Sequence, residues 1–145
     1  MPGDNTPTRL DQAIHPVRVY YEDTDASGVA YHGSYVRWME RGRTEWLRAR
    51  GGSQALFMID QGLAFTLSRL EMRFVAPARL DDALDVVTTV ERFGRASIDF
   101  RQEVRLQDSA QILVRASARV GCVDQQHFRP APLPSSIAPP RKPNA

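Results

Sequence analysis

Two stretches in the second half of the chain alternate apolar and polar residues so regularly that they fix the class of fold. Ile98, Phe100, Val104 and Leu106 fall on alternate positions, with Asp99, Arg101, Glu103 and Arg105 between them. Ile112, Val114, Ala116, Ala118, Val120 and Cys122 repeat the pattern against Leu113, Arg115, Ser117, Arg119 and Gly121. A period of two sends the two sets to opposite faces, so both stretches read as strands with one wet face. Leu70, Met72, Phe74 and then Leu84, Val86, Thr88, Val90 predict two more strands, bounded by turns at residues 76–78 and 93–95. Val17, Val19 and Tyr21 begin a first strand.

One long segment breaks this rule. Tyr35, Met39, Gly42, Trp46 and Ala49 recur every three or four positions, while Arg37, Glu40, Arg41, Arg43 and Arg48 lie elsewhere around the axis. That spacing predicts an amphipathic helix over residues 35–49, with Ser34 as its N-cap and Gly51-Gly52 as its end. Residues 53–61 add a short helical turn. The order of strand, long helix and four strands joined by short turns predicts an α+β protein, a mostly antiparallel sheet with one helix over its apolar face. A single helix leaves the margins of such a sheet uncovered, so association with another copy is expected.

Composition narrows the function. The chain has 145 residues, 42% of them hydrophobic and 25% charged, which suits one globular domain and excludes a fibrous or wholly disordered chain. A lone cysteine, Cys122, forms no internal disulfide, and His15, His32 and His127 are too scattered for zinc-ligand spacing, so no metal is predicted. The net charge is +2, and the arginines mostly alternate with acids, the pattern of a solvated face rather than of a nucleic-acid surface. No apolar run approaches the length of a membrane span and the start lacks the features of a secretory signal, so a cytoplasmic protein is expected. Six of the ten prolines lie in residues 128–145, where large apolar side chains are few; a mobile tail is predicted there. Residues 1–14 are expected to be a flexible N-terminus, leaving 15–127 as the folded domain.

The chemistry is concentrated where the first strand leads into the helix. Glu22, Asp23, Asp25, Gly28, His32, Gly33 and three tyrosines, Tyr21, Tyr31 and Tyr35, fall within fifteen residues. A helix start offers unpaired backbone N–H groups and a partial positive charge, which suit a developing oxyanion. Asp25, just ahead of Gly28, reads either as the cap of a turn or as a reactive carboxylate. Asp23 reads as a loop-ordering or ion-pairing acid. His32 reads either as a structural histidine or as a donor to substrate, and Tyr31 and Tyr35 as core or pocket wall.

Asp25, Gly28, Tyr31, His32 and Tyr35, followed by Met39-Glu40-Arg41 and Arg43-Thr44-Glu45-Trp46-Leu47, resemble the signature of hotdog-fold acyl-CoA thioesterases of the 4-hydroxybenzoyl-CoA thioesterase type. The likeness is nearest to the small bacterial acyl-CoA thioesterases encoded beside the Tol-Pal cell-envelope system, and extends over residues 17–123, including the turn at 76–82. The chain departs from the family pattern at Gly33-Ser34, where Ala or Pro followed by Asn is usual, and at Ser27, where glycine is common.

The resemblance implies a hotdog fold, a sheet of about five strands wrapped around one long central helix. It implies hydrolysis of an acyl-CoA thioester, with no cofactor beyond that substrate and with an acyl-carrier protein as the other possible thioester donor. Asp25 becomes the catalytic carboxylate, as nucleophile or general base, with His32 as its catalytic companion. His32 and Gly33 become the backbone oxyanion donors, Gly28, Tyr31 and Tyr35 the substrate pocket, and Arg95 and Ser97 the contacts to the nucleotide of coenzyme A. A homodimer or homotetramer with shared sites is implied as well. The same fold hosts dehydratases and modules that bind acyl-CoA without hydrolysing it, and these are the rival readings.

Overall fold

The computed structural model describes residues 11–138. Its elements in chain order are β1 (Gln12–Arg18), α1 (His32–Ala49), α2 (Gln54–Gln61), β2 (Leu63–Phe74), β3 (Ala83–Phe93), β4 (Ser97–Leu106) and β5 (Ile112–Asp124). The five strands form one antiparallel sheet in the order β1-β3-β4-β5-β2. The sheet curls around α1 as the hotdog arrangement requires. Because β2 follows the helices yet pairs only with β5, it ends up at one edge and β1 at the other.

The alternating strands behave as read except at the start of β5, where Leu113, placed in the wet set, is buried in the core instead. Along β4 the side chains of Ile98, Phe100 and Val104 are buried, and the facing residues of β5, Val120, Ala118 and Val114, complete the same layer. On the outer face Asp99 opposes Arg119 and Glu103 opposes Arg115 across the ladder, pairing the charges that a wet face leaves side by side. The inner face meets Tyr35, Trp38, Met39, Gly42 and Trp46 of α1, all buried. Gly42 marks the closest approach. A Cβ at this position would stand 2.8 Å from Val86 Cγ1 and 2.9 Å from Thr88 Oγ1, so any larger residue would push α1 off β3.

Strand β2 starts at Leu63, seven residues before Leu70, and three further boundaries differ from the sequence reading. Strand β1 starts at Gln12 rather than Val17, and Tyr21 lies beyond it in a short 3-10 turn, Tyr21–Asp23. The inward set is Ala13, His15 and Val17, whose histidine and small alanine hide the period of two. The flexible N-terminus drawn over 1–14 therefore does not hold for residues 12–14, while residues 1–10 lie outside the described residues. Helix α1 starts at His32, three residues early, with Tyr31 in extended backbone at its N-cap. Ser34 is not the cap: it is buried in the first turn, where its Oγ donates 2.8 Å to Asp23 O.

The third difference is the C-terminal segment. Its prolines predict little burial, yet Ile137 is fully buried among Trp46, Leu47, Phe57 and Phe100, and Leu133 packs against the same cluster. Pro130 bridges to Val123, and the amide of Ala131 donates 2.9 Å to Cys122 O. Residues 128–138 thus pack onto the domain that the sequence reading ends at 127, and residues 139–145 lie outside the described residues.

Candidate active site

The connection from β1 to α1 is built around Asp23. This carboxylate is 7% exposed. Its Oδ2 accepts from Tyr20 N at 2.9 Å and its Oδ1 from Arg37 Nη2 at 3.2 Å, while Asp23 O accepts from Tyr31 N and Ser34 Oγ. Arg37, one turn along α1, also donates 2.7 Å to Tyr31 Oη and stacks on that ring 5.5 Å from its centroid. Asp23 thereby orders the loop and pairs an arginine, the role its sequence position suggests.

Asp25 faces the other way. It lies in a tight turn in which Gly28 N donates to Asp25 O and Asp25 N to Val29 O, with Gly28 at φ +81, a backbone conformation that glycine adopts without strain. Asp25 Oδ1 accepts from Ser27 N at 2.8 Å and from Ser27 Oγ at 2.5 Å. The Ser27 hydroxyl, then the Ser27 amide, holds the carboxyl below the usual range for aspartate, so Asp25 is an exposed and firmly ionised carboxylate. Asp25 thus caps a turn, as one of its two sequence readings has it, and its carboxylate also opens onto a groove.

That groove is lined by Asp25, Ala30, Tyr31, His32, Tyr35 and residues 74–77 at the end of β2. His32 is the first residue of α1, so the amides of His32 and Gly33 are the helix-start donors with no partner within the helix. The Tyr31 ring lies within 3.3 Å of where a Cβ on Gly33 would be and 6.0 Å, edge to face, from the His32 ring, which fixes the wall of the groove beside those amides. Tyr35 is buried; its Oη accepts from Ala78 N at 2.9 Å and burial pushes its pKa up, so it ties α1 to the turn before β3. The structure thus brings Asp25, Tyr31, His32 and Tyr35 to one groove, with Gly33 next to His32 at the start of α1; Gly28 closes the Asp25 turn and is not part of the lining. The structure does not bring Arg95 and Ser97 there. The loop carrying Asp25 sits beside residues 79–82, before β3, whereas Arg95 follows β3, an element of 11 residues spanning about 35 Å.

A second cavity, mostly apolar, opens between α1, the start of α2 and β2, with Leu47, Phe65, Ile98 and Phe100 inside and Glu40, Thr44 and Gln54 among its polar groups. Sequence reading passed over its support. Gln102 stands in the apolar phase of β4, fully buried, with Nε2 donating 2.9 Å to both Met39 O and Thr88 Oγ1 and Oε1 accepting from Arg43 Nη1. A polar residue in an otherwise apolar phase was the available signal. Burial lowers the pKa of Arg43, opposed by the charge of Glu40. Among the described residues no group of three or more His, Cys, Asp or Glu is arranged to hold a metal, and no helix is long and apolar enough to cross a membrane.

Comparison with known proteins agrees with this architecture. Residues 27–113 match the family described as Thioesterase superfamily. The acyl-CoA thioester hydrolase YbgC of Escherichia coli is 43% identical over 122 residues, covering 84% of this chain and 90% of the relative. Among solved structures, a probable thioesterase from Bartonella henselae is 32% identical with a TM-score of 0.79, covering 85% of this chain and 99% of the other. A 1,4-dihydroxy-2-naphthoyl-CoA thioesterase from Synechocystis is 26% identical with a TM-score of 0.80, covering 87% and 95% respectively. With a matching family model over more than half of its length, a relative at 43% identity and the same sheet and central helix in solved structures, the chain belongs to the thioesterase superfamily as a hotdog-fold thioester hydrolase.

Proposed function

We propose that the protein hydrolyses an acyl-CoA to a free carboxylic acid and coenzyme A, with the Asp25 carboxylate as the reacting base or nucleophile and the amides of His32 and Gly33 as donors to the oxyanion. One observation carries this reading: the ionised carboxylate and the start of α1 open into the same groove. A thioester carbonyl seated there would expose its carbon to Asp25 while its oxygen, gaining negative charge, meets the positive end of the helix. In one route Asp25 attacks the carbon, the C–S bond breaks, and water then cleaves the acyl-aspartyl anhydride. In the other, Asp25 takes a proton from water as the water attacks. The leaving thiolate has a reference pKa near 8.5, so neither route needs a strong acid to protonate it.

The reading makes the enzyme a homo-oligomer acting on cytoplasmic acyl-CoA. Edge strand β2 carries the Asp25 groove at its C-terminal end and the apolar cavity at its N-terminal end. Pairing two copies antiparallel through β2 would set the groove of one against the cavity of the other, which would then take the acyl group. Leu67, Phe74 and Val75, exposed along that edge, support this arrangement. Arg95, distant from Asp25 in its own chain, would meet the nucleotide phosphates from a neighbouring copy. Thiol release over a panel of acyl-CoAs, with light scattering on the same sample, tests both parts. Turnover by a particle larger than 16.3 kDa supports them. Tight binding without thiol release would make the protein an acyl-CoA sensor, and a monomer would remove the shared site.

A further inference from the structure

The turn between β3 and β4 that presents Arg95 is held from two sides. Gly94 N donates 2.7 Å to Ser97 O and closes it; Ala96 O accepts from Cys122 N of β5 at 2.7 Å. On the other flank Arg95 O accepts from Leu133 N at 2.9 Å, a contact made by the C-terminal segment. That segment alternates proline with donor. Pro130, Pro132 and Pro134 have no amide hydrogen, whereas Ala131 and Leu133 between them spend theirs on Cys122 O and Arg95 O. Proline at every other place removes conformations from the unfolded chain and leaves only the inward-facing donors.

The far end of the segment is anchored. Ile137 is fully buried, and Ile137 O accepts from Arg50 Nε at 3.2 Å and Nη2 at 2.9 Å. The Arg50 guanidinium in turn lies over Trp46, 5.1 Å from its centroid, and over Phe93, at 5.6 Å. Phe93 is the last residue of β3, next to the turn itself. The anchor and the turn therefore lean on the same cation and the same aromatic pair.

We propose that residues 128–138 are a strap that positions the Arg95 turn for the nucleotide end of coenzyme A, with Leu133 as the positioning residue acting through the Arg95 carbonyl. This rests on the reading of Arg95 as a phosphate contact. A strap of this kind acts on binding of the CoA moiety and leaves the chemistry at Asp25 untouched, which separates it from a segment that only stabilises the fold.

The test compares Leu133→Pro, which removes the donor, with Leu133→Ala, which removes the side chain and keeps the donor. Each is assayed on an acyl-CoA and on the same acyl group carried by N-acetylcysteamine, a thioester without the nucleotide. Leu133→Pro is expected to raise KM for the acyl-CoA by roughly three- to tenfold, the effect of one lost hydrogen bond, with kcat and the nucleotide-free KM unchanged, and Leu133→Ala, which keeps the donor and loses only packing, to raise it less. Ile137→Ala slackens the anchor with every amide in place and is read in the same two assays, so the result does not depend on Leu133→Pro folding. Unchanged acyl-CoA KM in the strap variants, or an equal rise on both substrates, overturns the proposal. Arg95→Ala separates the two layers: if it raises KM and the strap variants do not, only the strap fails; if it has no effect, the nucleotide reading fails and takes the strap with it.

Discussion

The two ends of the sheet use their residues in opposite ways. Where β2 finishes, the loop with Asp25, Tyr31 and His32 stays exposed, and its geometry comes from short local bonds, the Ser27 donors and the turn closed at Gly28. Where β3 finishes, Trp46, Phe93, Phe100 and Ile137 pack tightly, and an arginine is sandwiched over the rings. On the proposed reading water must reach the first end, and its loop is held by local hydrogen bonds rather than by burial in an apolar cluster. The second is free to exclude water, and it recruits a proline-rich segment to do so.

This contrast fails if chemistry and stability turn out to share residues. The largest expected effect is at Asp25: Asp25→Asn should lower kcat by about 10² to 10⁴ with the melting temperature nearly unchanged, because the side chain is exposed and asparagine still serves the turn. Asp23→Asn should do the reverse, reducing stability by ~1 kcal/mol through the Arg37 pair and kcat by less than about tenfold. Steady-state kinetics beside thermal melts would show an exchange of these two phenotypes, and such an exchange would assign the reacting carboxylate to Asp23.

At the opposite end, a chain stopped at Gln126 loses the Ile137 side chain from the core and should be less stable by about 2 to 4 kcal/mol in denaturant titration. Unchanged stability would return the segment to the status of a tail. Arg95→Ala comes next, with KM for acyl-CoA raised about three- to tenfold, kcat retained, and the difference shrinking as salt rises from low ionic strength.

The smallest effect sharpens the first end. Ser27 donors depress the pKa of Asp25, so the folded protein keeps this carboxylate charged to lower pH than a free aspartate would be. Ser27→Ala removes the first cause, the hydroxyl; Asp25 then protonates at higher pH, and the acid limb of the kcat profile should move upward. Because a group with a depressed folded pKa stabilises above its unfolded pKa and loses that contribution as pH falls through the folded one, the variant should be slightly less stable near neutral pH, with the difference vanishing in acid. A profile that does not move would detach the limb from Asp25.

Legibility in the sequence followed which residues carry the period. β4 and β5 were readable because Ile98, Phe100, Val114 and Val120 announce their faces, and α1 because Met39, Gly42 and Trp46 keep helical spacing. β1 was displaced because one of its inward residues is His15, and the start of α1 because Tyr31, His32 and Gly33 show no period before Tyr35. The groove residues are legible through motif likeness, and so is Asp23 as a loop-ordering, ion-pairing acid; what the structure adds is that Asp23 is buried on Arg37 while Asp25 is exposed. The segment after Phe128 is illegible for a different reason. An average over many prolines conceals one isoleucine whose burial decides where the chain lies.

Gly42 has a consequence for anyone wishing to change what this enzyme accepts. The same helix carries His32 and Gly33 at its start and Trp46 toward its end, with Arg50 as its C-cap, and its height above β3 is set where there is no side chain at all. Raising it there would shift the donors at one end and the aromatic stack at the other in a single stroke, so a library built to alter substrate range should leave position 42 fixed. Diversity belongs instead on cavity-lining positions off the β2 edge, such as Thr44 and Gln54.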